Sequence, residues 1–161
     1  ELWTTRQRCG WRYRGYQAQH HRFEIQMDWE VERGVSAPDP LDWQNLIRED
    51  ELQPHLSEMS PPKAGNFFHE YLEKDLEIPG TDWEGAVRSE EELVGRYDCY
   101  DRLDGVVYEF KTKNESGMRR APCSDDISQI QGYLDGLDRD VGFLIYVNRD
   151  SLEVEEYPVF R

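Results

Sequence analysis

The segment Gly95 to Lys113, GRYDCYDRLDGVVYEFKTK, gathers side chains that could bind a cation and activate water. Asp104-Gly105 is a strong hairpin signal. In a second hairpin strand from Val106 to Thr112, Val106, Tyr108 and Phe110 point one way, and Val107, Glu109 and Lys111 the other. A turn over Leu103 to Gly105 pairs positions whose numbers sum to about 207 to 209, which sets Asp98 opposite or diagonal to Glu109. Two carboxylates and an ammonium then converge on one sheet surface. Neighbouring carboxylates repel, and a hard divalent cation such as Mg²⁺ relieves the repulsion. A lysine beside such a cation can orient or deprotonate a water, or stabilise charge developing on a phosphate. The bland alternative is an exposed sheet face on which acids meet by chance. Lysine usage speaks for function: of only four lysines, Lys63, Lys74, Lys111 and Lys113, the last two stand two and four residues after Glu109.

The surrounding elements must position these groups. Phe67, Phe68, Tyr71, Leu72 and Leu76 recur at helical spacing and predict a helix from about Asn66 to about Leu76, after a break at SPPKAG (Ser60 to Gly65). Trp83 to Arg88, Leu93 to Tyr100 and Val106 to Thr112 read as an antiparallel meander. Asp125 or Asp126 can cap a helix carrying Ile127, Ile130, Tyr133, Leu134 and Leu137. Gly142 to Asn148 is a nearly continuous apolar run, suited to a strand buried on both faces. Glu153 to Val159 can pair with it across Arg149-Asp150-Ser151. Nearer the start, Leu41, Trp43, Leu46 and Ile47 suggest a short helix after the SAPDP linker. Phe23 to Val31 has the period of a strand and is also compatible with a helix. The expected fold is α/β, a central mixed β-sheet (antiparallel meander plus an added strand) flanked by helices.

The 161 residues suit a single domain, 1–161, with 1–60 as an N-terminal part and 61–161 as its core. Net charge is −15, yet 12% aromatic residues argue against wholesale disorder. No stretch approaches a membrane span, three cysteines without CxxC spacing suggest neither disulfide framework nor zinc ribbon, and a cytoplasmic setting without membrane partners is expected. The first 22 residues oppose this acidity, with five arginines, Arg12 and Arg14 among them, against Glu1 alone. Interleaved with Trp3, Trp11, Tyr13 and Tyr16, they offer phosphate contacts and stacking surfaces for unpaired bases, or else a helix packing its rings inward.

Asp98 followed by Glu109-Phe110-Lys111 at the end of a hairpin resembles the Asp…(Asp/Glu)-x-Lys core of the PD-(D/E)xK nuclease superfamily. Gly65…His69 before the meander, Gly95-Arg96-Tyr97-Asp98 around the aspartate and Gln129…Tyr133 after the lysine are similar to its RecB-like branch, which includes the exonucleases of CRISPR adaptation modules. The match spans roughly residues 60 to 160. The resemblance implies a restriction-endonuclease-like core and a metal-dependent deoxyribonuclease, preferring single-stranded ends. It implies His69, Asp98, Glu109 and the Phe110 carbonyl as ligands of Mg²⁺ or Mn²⁺, Lys111 as the catalytic lysine, and Gln129 and Tyr133 as groups positioning Lys111 and the DNA backbone. Arg96, Lys113, Arg119 and Arg120 are candidate phosphate contacts.

Some similar nucleases hold an iron–sulfur cluster on four cysteines. Cys9 suits the first position, but no cysteine follows Tyr133, and Cys99 and Cys123 fall elsewhere, so no such cluster is expected from this chain. Two other classes remain in view: a non-catalytic nucleic-acid-binding adaptor subunit of the same fold, as in a DNA-processing complex, and an acidic mimic of nucleic acid. The excess of acid with scarce lysine is the pattern of proteins working in concentrated salt, where screening acts over about 3 Å at 1 M. Salt adaptation predicts that the urea unfolding midpoint rises from low to molar KCl; a flat or falling curve removes that reading.

Overall fold

The computed structural model describes residues 27–161 except positions 29, 35 and 53. Arg12, Arg14, Cys9 and the remainder of the Arg-rich head lie outside the described residues. Of the Phe23 to Val31 stretch, compatible with strand or helix, positions 23–26 and 29 lie outside the described residues too, and residues 27, 28 and 30–33 are helical.

The short helix α1 (Trp43–Leu46) starts at Asp42, whose carboxylate accepts the Asn45 N–H. It anchors the N-terminal part to the sheet. Trp43 is fully buried, edge-on to Phe110 at 4.7 Å and Tyr108 at 5.1 Å between centroids. The Leu41 N–H donates to the Tyr108 hydroxyl, while Gln44 brackets Leu152 and Val154 through its amide. Leu52 and Leu56 complete this flank.

Helix α2 (Pro61–Glu70) begins five residues before the expected start at Asn66. The two prolines that read as a break occupy its first turn, where the missing N–H groups would have no helical acceptor and the fixed φ suits a helix. Beyond Glu70 the chain continues as a π-helical turn, Tyr71–Asp75.

Seven strands follow: β1 (Thr81–Trp83), β2 (Ala86–Ser89), β3 (Glu92–Arg96), β4 (Cys99–Asp101), β5 (Val106–Lys113), β6 (Val141–Asn148) and β7 (Val154–Phe160). The main sheet runs β1-β4-β5-β6-β7, with β5 and β6 parallel and the other pairs antiparallel. The meander is thus interrupted: β2 and β3 form a separate two-stranded sheet. Glu84, in the left-handed region at φ 53°, turns the chain out of β1. The β3–β4 run, continuous in the sequence pattern, breaks at Tyr97-Asp98 as it returns.

Between β5 and β6 lie α3 (Glu115–Arg119) and α4 (Ser124–Leu137). The residue at the α4 N-cap is Cys123, and Asp125 and Asp126 both fall within the first turn, where their charge complements the helix dipole. The sheet is covered on both faces. Phe68 of α2 and Trp43 of α1 meet Phe110 on one, and Ile130 of α4 lies over Gly142 on the other. Double coverage explains why all eight residues of β6 are buried. Cys99 is fully buried, and burial raises its thiol well above the ordinary value. Among the described residues, no helix is long and apolar enough to cross a membrane.

Because Trp43 ties the first part of the chain to the sheet, Trp43→Ala is expected to cost about 3–5 kcal/mol by urea unfolding. A cost under about 1 kcal/mol would show that this flank docks without it.

Candidate active site

The β4–β5 hairpin pairs Cys99 with Tyr108, Tyr100 with Val107 and Asp101 with Val106, and Gly105 takes the left-handed φ of 69° that its turn requires. Extending this register by one step sets Asp98 across from Glu109. The regular ladder stops there, and side chains take over. The Asp98 N–H donates to Glu109 Oε1 at 2.9 Å, and the Phe110 N–H donates to Asp98 Oδ2 at 2.8 Å. Each carboxylate satisfies a backbone donor beside the other, which holds the two acids together at the strand break.

His69 reaches this pair from the last turn of α2. Its Nδ1 lies 2.7 Å from the Gly65 carbonyl four residues back, and its Nε2 lies 2.9 Å from Asp98 Oδ2. Burial by itself would lower the imidazole pKa. The hydrogen bond and charge of Asp98, then the Gly65 carbonyl and the charge of Glu109, outweigh it and hold His69 at about 9. Both ring nitrogens face acceptors, so the imidazolium donates Nδ1–H to the Gly65 carbonyl and Nε2–H to Asp98, and only loss of the Nε2 proton would free that nitrogen as a ligand.

Glu109 is only 3% exposed. Burial and the neighbouring Asp98 charge push its carboxyl upward, against the opposing pull of Lys111, the Asp98 N–H and His69. Lys111, on the same strand face, places Nζ 3.9 Å from Glu109 Oε2 and 3.6 Å from Asp126 Oδ1, and donates to Gln129 Oε1 at 3.3 Å. The Gln129 amide in turn donates to the Tyr133 hydroxyl at 2.9 Å. Tyr133 is buried against Gly95, where any Cβ would come within 2.9 Å of the ring. Burial and then the Glu109 charge raise its phenol to about 12.

One chain of contacts therefore links His69, Asp98, Glu109, Lys111, Gln129 and Tyr133, drawn from α2, the β3–β4 break, β5 and α4. Arg96, Lys113 and Phe110 line the same cleft, of about 350 Å³. Arg120 lines a neighbouring pocket with Lys113, whereas Arg119 is exposed at the end of α3 and is not among the residues lining the cleft. Asp126, read from sequence as a helix cap, instead faces Lys111 and accepts the Tyr146 hydroxyl at 2.6 Å. Its position three residues before Gln129, on one helical face, was the available signal.

Among the described residues, no three His, Cys, Asp or Glu side chains already stand as a metal cage, since His69 and Asp98 are bonded to each other. The donor chemistry nonetheless suits a hard divalent cation: one imidazole nitrogen with carboxylate oxygens. Glu109 supplies the physical reason. It is a desolvated carboxylate beside a second one, and a cation would neutralise both.

No protein-family model and no curated protein matches this chain. Among solved structures, the protein SSO0001 is similar over 86% of this chain and 77% of its own, at 22% identity and a TM-score of 0.50, a likeness of fold. A phage-related exonuclease from Haemophilus somnus 129PT aligns over 100% of this chain and 83% of its own, at 11% identity and a TM-score of 0.41.

Glu109→Gln keeps the acceptor for the Asp98 N–H and removes the repulsion. In EDTA at neutral pH it is expected to stabilise the protein by about 1–2 kcal/mol, measured by urea unfolding. A destabilised variant would show that the Glu109 charge is already compensated.

Proposed function

We propose that this chain is a nuclease domain, with residues 61–161 as its catalytic core, that hydrolyses DNA phosphodiester bonds with Mg²⁺ or Mn²⁺ and acts on single-stranded ends. The observation that carries this reading is the contact chain from His69 through Asp98 and Glu109 to Lys111, closed by Gln129 and Tyr133. A purely structural sheet face has no use for a buried carboxylate paired with a half-buried one beside a lysine and a histidine.

His69, Asp98, Glu109 and the Phe110 carbonyl would hold the cation. When bound, it lowers the pKa of a coordinated water and offsets charge on the scissile phosphate. Lys111 is held between Glu109, Asp126 and Gln129, so its ammonium stays at the cleft with little freedom to reorganise. There it orients the attacking water and stabilises charge on the phosphoryl oxygens. Gln129 keeps Lys111 on station, and Tyr133 holds the Gln129 amide so that its carbonyl faces the lysine. Arg96 and Lys113 flank the cleft as phosphate contacts, and Arg12 and Arg14 of the aromatic head would extend the path for an unpaired strand.

A second reading, a non-catalytic adaptor that binds nucleic acid, draws on the His69–Asp98 pair, which engages two of the ligands with each other. One assay separates the two: Mn²⁺, labelled single- and double-stranded DNA, and the Lys111→Ala and Asp98→Ala variants. The nuclease reading predicts cleavage that EDTA abolishes and that each variant lowers by about 10²-fold or more. Cleavage equal in wild type and variants, or absent from all at low and molar salt, would overturn it.

A further inference from the structure

Beside the proposed active site, a second pocket of about 360 Å³ opens between the end of β5, helix α3 and the turn after β6. Its charged lining residues are Lys113, Arg120 and Arg149, with no Asp or Glu among the described residues that line it. In a chain with 34 acidic and 19 basic residues, such a pocket runs against the composition. No ion pair with a described residue engages any of the three cations. Two acids near the cluster are engaged elsewhere, Glu115 accepting the Asn148 amide at 2.8 Å and Asp126 taken up by Tyr146 and Lys111, while Asp150 is exposed on the turn and does not line the pocket.

The backbone builds the cluster. The Arg149 N–H donates to the Lys113 carbonyl at 2.9 Å, which fastens the β6–β7 turn to the end of β5, and the Lys113 stem lies against Gly117 of α3. Lys113 and Thr112 line both this pocket and the proposed catalytic cleft, so the two spaces adjoin along the end of β5. Lys113 stands two residues beyond Lys111 on the same strand face, about 7 Å away. That is one phosphate step along an extended, unpaired strand.

We infer that this pocket is a binding subsite for the nucleotide next to the scissile bond, with Lys113, Arg120 and Arg149 gripping its phosphate. The inference rests on the nuclease reading for its ligand class. Its volume lies at the low end of small-ligand pockets, enough for one nucleotide and too small for a base pair, so it selects an unpaired strand. Arg149 was not among the candidates legible in the sequence. It lies far from the hairpin motif in the chain and joins the site only because β6 runs parallel to β5.

The test is binding of a fluorescent single-stranded oligonucleotide in EDTA, where no cleavage occurs, followed by anisotropy across a salt series. Arg120→Gln/Arg149→Gln is expected to weaken binding about tenfold and to lower the slope of log Kd against log salt by about 1.4. The single variant Arg120→Gln, at an exposed position, gives a smaller change in the same direction and guards against a folding defect. Unchanged affinity and slope in both variants overturn the subsite. So does loss of deoxyadenosine monophosphate binding with oligonucleotide binding intact, which would make the pocket a site for free nucleotides. Failure of the nuclease reading appears separately, as cleavage that Lys111→Ala leaves unaltered.

Discussion

Everything at the candidate site depends on how one antiparallel ladder ends. Beyond the Cys99–Tyr108 pair, the Asp98 and Phe110 N–H groups turn to carboxylates, Asp98 to Glu109 and Phe110 to Asp98. A buried donor left without an acceptor costs about 1–3 kcal/mol, so this exchange secures the strand break while it gathers two acids. The same break frees β2 and β3 to leave the main sheet and lie on α4. Gly95 then meets Tyr133 there, and Tyr133 holds Gln129 toward Lys111. The hairpin, the helix and the lysine are positioned by one local departure from sheet geometry.

This arrangement works against stability. Asp98 and Glu109 repel in a desolvated place, and only His69, Lys111 and two backbone donors offset them. The two backbone hydrogen bonds could be satisfied without two charges, so the charge itself is a cost that the strand break does not require. Net charge and local charge thus separate. The acid-rich surface describes the chain's relation to solvent, while Arg96, Lys111 and Lys113 line one cleft and Lys113, Arg120 and Arg149 the pocket that adjoins it.

Much of the fold was legible because periodicity and turn chemistry act locally. The Asp104-Gly105 turn, the buried run of β6 and its return in β7 followed from patterns only a few residues long. Errors arose where one residue type serves two purposes. Pro61 and Pro62 looked like a break and open α2, because a first-turn proline loses no hydrogen bond. Asp126 looked like a cap and instead faces Lys111 across the gap between helix and sheet, a contact that only the packing of α4 creates. The meander looked continuous because strand propensity does not register a left-handed residue such as Glu84 or a ladder that ends on side chains.

By itself the sequence determined the α/β class, a hairpin register that sets Asp98 opposite or diagonal to Glu109, the shared face of Glu109 and Lys111, and the helical spacings of Gly65 to His69 and of Gln129 to Tyr133. Each is a matter of backbone period within one element or one turn. Tertiary structure alone decided that α2 and α4 bring His69 and Gln129 to opposite ends of that carboxylate pair, that Asp126 braces the lysine, and that Arg149 joins Lys113 at the neighbouring pocket. Those contacts join residues 18 to 36 apart in sequence or more, apart from the bracing by Asp126, and depend on which faces two helices bury against the sheet. That choice is made by the whole core at once, and no window of sequence contains it.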